Sequence, residues 1–163
     1  MTDTIVPAEE RYYASLHSAL DSVAREKTFL SATEAPAFEQ STTFYTGLAR
    51  AGMAHYLALD GEKVVGWVDV APTFGQSRAH VGLLGMGLVR EARHQGLGAR
   101  LLEAAVAHSW QQGLSRIELT VREDNLNAQA LYRRFGFQHE GVLRRGCLVE
   151  GLYFDMFFMA LLR

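Results

Sequence analysis

The chain has one cysteine, Cys147, in 163 residues, so no internal disulfide framework can form, and an isolated thiol in a reducing compartment is the simplest reading. An excess of one charge is also missing. Sixteen Lys and Arg against 18 Asp and Glu leave a formal net charge of −2, which excludes a general electrostatic affinity for nucleic acid or an anionic membrane. No apolar run reaches the roughly 18 residues of a membrane-spanning helix, and no basic segment followed by an apolar stretch opens the chain. These absences point to the cytoplasm. Repeats, low-complexity segments and linkers are lacking too. What remains is a globular composition, 48% hydrophobic and 21% charged, at a length suited to one domain over residues 1–163 that buries about two-thirds of its unfolded surface.

Residues 1–6 read as a short first strand, and Pro7, Glu9 and Glu10 as the opening of a helix with the apolar stripe Tyr13, Leu16, Leu20 and Val23. A second helix is expected over about Glu39–Ala51, with Gly52 as its stop. Phe38, Phe44 and Tyr45 are expected in the core, with pocket lining as the alternative. His55–Leu59 and Val64–Val70 flank Asp60 and Gly61, a strong hairpin signal. After a loop over Pro72–Ser77, Ala79–Val89 reads as a strand with three glycines, Gly82, Gly85 and Gly87. Glycines in a strand mark a bulge or a ligand backbone close alongside, the plain alternative being a loosened buried strand. The helix over about Gly96–Gln112 places Leu97, Leu101, Ala105 and His108 on one face, His108 as a satisfied, half-buried side chain, and closes at Gly113. Ile117, Leu119 and Val121 alternate with Glu118, Thr120 and Arg122, the pattern of a half-covered strand. Asp124 and Asn125 offer an N-cap for a short helix carrying Ala128, Leu131, Tyr132 and Phe135 and stopped by Gly136. Phe137–Arg145 and Leu152–Leu161 complete a hairpin around Gly146 and Gly151, giving a mixed α/β order.

The stretch Gly82–Leu102 joins the glycine-spotted strand to the long helix through a basic, glycine-rich turn. Arg93, His94, Gln95, Gly96, Leu97 and Gly98 gather donors and small residues where a helix begins, and helix starts carry unpaired N–H groups with about half a positive charge. That is an anion site in outline. A P-loop requires Lys and then Ser or Thr after its second glycine, whereas Ala99 and Arg100 follow Gly98. A dinucleotide fingerprint needs a third glycine where Leu101 stands, although Glu118 lies about twenty residues on, as a ribose carboxylate would.

Two spacings together resemble the GNAT N-acetyltransferase superfamily. Arg93, Gly96 and Gly98 match its signature of Arg or Gln, two residues, Gly, one residue, then Gly or Ala. Asn125, Ala128, Leu131 and Tyr132, followed by Phe135, Gly136 and Phe137, match a second signature in the same order. The match covers about residues 79–141; residues 1–60 resemble the family only in the order of helices and strands. The resemblance implies a single-domain α/β fold whose mixed central sheet, with a splayed parallel strand pair, is flanked by helices. It also implies acetyl-CoA as cosubstrate and calls for no metal. N–H groups from about His94 through Gln95, Gly96, Leu97 and Gly98 to Ala99 would hold the pyrophosphate, with added charge from Arg93 and Arg100. The pantetheine arm would pair with the backbone of Met86, Gly87 and Leu88 and lie near Asn125.

The implied reaction is direct attack of an amine on the thioester, with the Leu88 N–H polarising the carbonyl. Tyr132, seven residues after Asn125, matches the family's general acid, with helix packing as its plain alternative. At positions where relatives often carry a glutamate, this chain has Gly82 and Thr120. His80 is the nearest side chain that titrates around neutrality and is the candidate base; Glu118, Asp69 and Asp155 are further candidates, and a structural His80 with water or no base stays open. The expected acceptor is a small-molecule or amino-acid-like primary amine, with a protein N-terminus or lysine as the second choice. A non-catalytic acyl-CoA-binding sensor or interaction module and a nucleotide-binding regulatory domain are the rival classes. The apolar last strand suits either a core position or a homodimer contact.

Overall fold

In the computed structural model, which describes residues 3–163, alternating apolar residues build seven strands: β1 (Thr4–Pro7), β2 (His55–Asp60), β3 (Lys63–Pro72), β4 (Val81–Leu88), β5 (Arg116–Arg122), β6 (Gln138–Val149) and β7 (Leu152–Leu162). Four helices join them: α1 (Tyr13–Ala24), α2 (Phe38–Arg50), α3 (Leu97–Gln112) and α4 (Leu126–Arg134). The strands form one sheet in the order β1-β2-β3-β4-β5-β7-β6, antiparallel throughout except for β4 and β5. The mixed sheet with a parallel pair at its centre is the architecture expected.

Several boundaries move for physical reasons. Of the first strand expected over residues 1–6, residues 1 and 2 lie outside the described residues. Pro7 closes β1 and does not open a helix, because β1 is an edge strand where a missing N–H costs nothing; α1 begins at Tyr13 after a 3-10 turn over Glu10–Tyr12. Pro72, expected in a loop, is the last residue of β3. The final hairpin turns at Glu150 and Gly151, while Gly146 stays inside β6 in a bulge. There Leu143 pairs with Met156 and Cys147 with Phe154, and the Arg145 N–H donates to Asp155 Oδ1 at 2.8 Å.

The core lies in two layers. Met86 and Leu88 face Gly98 and Leu131, placing α3 and α4 on one side of the sheet. On the other side, the Tyr45 ring of α2 lies 5.3 Å from the His55 ring of β2 and 5.0 Å from that of Tyr13 in α1. Leu16, Leu48, Leu57, Leu97, Leu101 and Leu119 are fully enclosed, each contributing about 2 kcal/mol of burial. His108 sits at the surface end of the buried α3 face, satisfied by Tyr56 Oη at 3.0 Å and the Gly52 carbonyl at 2.9 Å. Of the three aromatics expected in the core, only Tyr45 is there. The buried face of α2 is Ser41, Tyr45 and Leu48, which leaves Phe38 and Phe44 exposed. On the second face of β5 Glu118 and Arg122 are buried as well, while Thr120 between them is exposed and lines the cleft.

The β4/β5 ladder is short: Val81, Gly82 and Leu83 pair with Arg116, Ile117 and Glu118, and there it stops. Beyond that point the two strands diverge. The register of β4 on β3 is unbroken from Pro72 opposite Gly82 to Gly66 opposite Leu88, so the glycines of β4 mark no bulge. They make room for β3 side chains. A Cβ on Gly87 would lie 2.5 Å from the Trp67 indole, and one on Gly82 would lie 2.3 Å from Val70. The irregularity in this part of the sheet falls between β2 and β3, where Ala58 and Leu59 pair with Gly66 and Val64 and Val65 of β3 is skipped.

Candidate active site

The splay opens into a cleft of about 720 Å3 between Leu84–Leu88 of β4, the start of α3, and Asn125, Leu131 and Tyr132 of α4 and its cap. Backbone alternation decides what β4 offers to it. The Val89 N–H donates to Val65 O at 2.9 Å, and in an antiparallel ladder such pairs alternate with pairs whose polar groups point away. Gly87 and Gly85 therefore bond to β3, whereas Leu84, Met86 and Leu88 turn their N–H and C=O groups toward the splay. Of the three residues expected to offer backbone to a pantetheine arm, Met86 and Leu88 face the cleft, and Gly87 is committed to Trp67.

At the head of α3 the chain turns through two left-handed residues, His94 with φ +62° and Gly96 with φ +82°. A non-glycine residue seldom adopts this conformation, and alternating handedness folds successive N–H groups onto one point. Helical bonding resumes when the Arg100 N–H donates to Gly96 O at 3.3 Å. Among the described residues, the N–H groups of His94, Gln95, Gly96, Leu97, Gly98 and Ala99 have no protein acceptor. Six converging donors at the positive end of a sixteen-residue helix form a cradle for an anion.

The basic side chains expected to reinforce that cradle are occupied elsewhere. Arg93 donates to both Glu26 oxygens at 2.9 and 2.6 Å and to Leu88 O at 3.0 Å, and its guanidinium lies 4.4 Å from the Phe29 ring centre. The hydrogen bond from Arg93 holds the Glu26 carboxyl below its ordinary value. Arg100 reaches Asp3 O. Arg93 is thus a strut that ties the segment after α1 to the end of β4, and Arg122 ties the same segment to the end of β5 through Lys27 O at 2.8 Å. Phe29, Leu30 and Ser31, just beyond these ties, line the cleft. The tie that fixes this wall is not legible in the sequence, since nothing in the spacing of Glu26 links it to Arg93, 67 residues away.

Tyr132 is 7% exposed, lies in the cleft wall with its ring 5.6 Å from Phe137, and has its phenol pushed up by burial. A phenol so placed keeps its proton until a strong base forms beside it. Asn125 caps α4, its Oδ1 accepting the Ala128 N–H at 3.3 Å, and also lines the cleft, so both roles read for it coexist.

His80 is not brought to the site. It is exposed in the turn before β4, where its carbonyl accepts the Ser115 and Arg116 N–H groups. Eight residues of extended chain put it about 26 Å from Leu88. Glu118 accepts from Arg78 at 2.9 and 2.8 Å and from Arg116 at 2.8 Å. Burial alone would raise its carboxyl, but the bonds from Arg116 and Arg78 outweigh that and hold it low. Asp155 accepts the Arg145 N–H. Asp69, in contrast, faces Gly85 at the cleft floor with no partner, and burial raises it to about 7. No group of three or more His, Cys, Asp or Glu among the described residues could hold a metal ion, and no helix among them is long and apolar enough to cross a membrane.

Comparison with known proteins bears on this geometry. The model of the acetyltransferase (GNAT) family matches residues 17–137. The chain is 31% identical over 114 residues to the L-amino acid N-acetyltransferase AaaT of Escherichia coli, covering 68% of this chain and 69% of that one. It is 36% identical over 90 residues to the mycothiol acetyltransferase of Geodermatophilus obscurus, covering 53% of this chain and only 29% of that longer protein. Among solved structures, a GNAT-family acetyltransferase from Streptococcus pneumoniae superposes with a TM-score of 0.92 at 28% identity, covering 99% of this chain and all of the other. A phosphinothricin acetyltransferase from Sinorhizobium meliloti, solved in complex with acetyl-CoA, shares the fold with a TM-score of 0.91 at 20% identity, covering 99% of this chain and 89% of the other.

Proposed function

The chain belongs to the GNAT family of acetyltransferases, and from that premise we propose that it is an acetyl-CoA-dependent N-acetyltransferase that moves the acetyl group to a primary amine by direct attack on the thioester. The observation that carries this reading is the cradle of six unpaired N–H groups at the head of α3, opening beside the splayed edge of β4. Such a cradle suits a pyrophosphate, and the unpaired N–H and C=O groups of Met86 suit the amides of a pantetheine arm. The Leu88 N–H is the donor for the carbonyl oxygen as it gains charge; the Leu88 carbonyl is already held by Arg93.

The amine nitrogen bonds to the carbonyl carbon, the C–S bond breaks, and the departing thiolate takes the phenolic proton of Tyr132. A phenol of pKa about 10 gives its proton to a thiol of pKa about 8.5 only with help. Burial of Tyr132 works against the transfer in the resting site, but a thiolate emerging in the same dry wall is raised for the same reason. The acceptor in this reading is a small, amino-acid-like amine. The E. coli relative named for L-amino acids supports it, as does an acceptor side walled by Phe29, Leu30, Ser31 and Leu83. The reading includes one catalytic domain, a cytoplasmic setting and no resident metal.

Thiol release from acetyl-CoA against a library of amines tests the proposal. We expect turnover with at least one small α-amine, and Tyr132→Phe should lower kcat at least tenfold with the acetyl-CoA KM little changed. Binding of acetyl-CoA without turnover across the library would replace the enzyme with a sensor, and an unchanged kcat in the variant would remove Tyr132 from the reaction.

A further inference from the structure

A direct attack needs a group to take the proton that the amine nitrogen sheds. The carboxylates around the cleft are mostly committed: Glu26 to Arg93, Glu118 to Arg78 and Arg116, Glu140 to Arg116, and Asp124 to Arg122. Asp69 is different. It sits on β3 directly opposite Gly85, and Gly85 lines the cleft. The two Asp69 oxygens lie 3.6 and 4.0 Å from the position a Cβ on Gly85 would occupy, so with no side chain on Gly85 the carboxylate, itself buried, lies directly beside that stretch of the cleft wall. Gly85 is one residue from Met86, whose polar groups face the splay. Among the described residues Asp69 has no hydrogen bond and no ion pair. Its neighbours on the same face are His55, its register partner on β2, and Tyr45 from α2, with Tyr13 of α1 behind Tyr45. His55 Nε2 and Tyr45 Oη are themselves buried without partners, an unusual concentration of unsatisfied polar atoms for a packed interior.

We propose that Asp69 is the general base, receiving the acceptor's proton from above Gly85; this rests on the N-acetyltransferase reading given above. The acceptor ammonium first passes one proton to an Asp69 oxygen, which later releases it to solvent. The neutral nitrogen then bonds to the carbonyl carbon, the C–S bond breaks, the thiolate takes the Tyr132 proton, and the second nitrogen proton returns to Tyr132, so that one proton moves net from nitrogen to sulfur and one to solvent. The electrostatics agree with the geometry. Burial raises Asp69 to about 7, lowers His55 to about 4 and raises Tyr45 to about 12, so near neutrality both neighbours are uncharged and no fixed cation competes for the carboxylate. An incoming ammonium is the missing partner. A peptide-type α-ammonium of pKa about 8 gives up its proton to Asp69 at a cost of roughly tenfold and a lysine-like ammonium of pKa about 10.4 at more than a thousandfold, with the more basic α-ammonium of a free amino acid in between. The site therefore favours the less basic amines.

Rates over pH 5.5–9 for the parent, Asp69→Asn and Asp69→Glu test this, using an L-amino acid active in the amine screen and methoxyamine, a nucleophile already neutral throughout. Acetyl-CoA affinity is measured alongside. With the amino acid, Asp69→Asn should lower kcat/KM about 100-fold or more at pH 7 and abolish the acidic limb near pH 7. Methoxyamine should lose less than about tenfold, acetyl-CoA affinity should hold, and Asp69→Glu should restore the limb and part of the rate. An acidic limb that survives in Asp69→Asn, equal losses for the two nucleophiles, or Asp69→Glu no better than Asp69→Asn would each overturn the assignment. A parent inactive on every amine would refute the N-acetyltransferase reading itself.

Discussion

Replacing Asp69 by Asn should stabilise the protein at alkaline pH while it disables the reaction. In the folded chain Asp69 holds its proton up to about pH 7, against an ordinary value of 3.8, because burial penalises the charge. The sign follows from linkage: between those two pH values the unfolded chain has released a proton that the folded chain keeps, so stability falls as pH rises through the window. A shift from 3.8 to about 7, at 1.36 kcal/mol per unit, amounts to about 4 kcal/mol by pH 8, of which roughly 1.5 kcal/mol is already present at pH 5. Asparagine keeps the shape and cannot ionise. The variant should therefore gain about 2.5 kcal/mol more over the parent at pH 8 than at pH 5, which for a chain of this size is a change in relative Tm on the order of 5–10 °C. Urea unfolding of both proteins at the two pH values measures it. His55, whose lowered value titrates in an overlapping range, is present in both proteins, so its contribution cancels in the difference. A variant-minus-parent difference that does not change with pH would mean that Asp69 is solvated, and would remove the physical basis for its acting near neutrality.

Gly87→Ala should destabilise by about 2 kcal/mol or more, since the new methyl would stand 2.5 Å from the Trp67 ring and 2.6 Å from its neighbouring carbon; an unchanged urea midpoint followed by tryptophan fluorescence would show that the indole moves freely. Glu26→Gln should cost about 2 kcal/mol, between the values of exposed and buried pairs, because Glu26 and Arg93 are each only 19% exposed. Stability from Glu26 is present above its ordinary value of 4.5 and is lost as pH falls through the lower folded value, so the difference between parent and variant should shrink in acid. The same variant decides what Arg93 does: a strut released from Glu26 weakens acetyl-CoA binding measured by calorimetry, whereas a phosphate ligand freed from Glu26 would strengthen it.

What the sequence disclosed was governed by the range over which each feature acts. The hairpin at Asp60–Gly61, the cap at Asn125, and the stop at Gly113 depend on a few consecutive residues, and the structure has them where the spacing put them. The anion cradle was legible for the same reason, being a property of six successive N–H groups. Contacts across the sheet were not. The glycines of β4 read as a bulge or a ligand track because nothing in the local pattern reveals that Trp67 and Val70 press on them from β3. Charged residues suffered most, since a motif fixes a residue's type and not its partner. Arg93 matched a phosphate-loop position, yet its guanidinium is spent on Glu26 and Leu88 O. His80 is an imidazole at the wrong end of its strand, while Asp69, one candidate among several in the sequence, is distinguished only by an opposing glycine and the lack of any cation. In the proposed reading the backbone binds the donor's anion and the side-chain charges hold the walls, so Asp69, a carboxylate without a hydrogen bond or ion pair beside the cleft, is the group left for the acceptor.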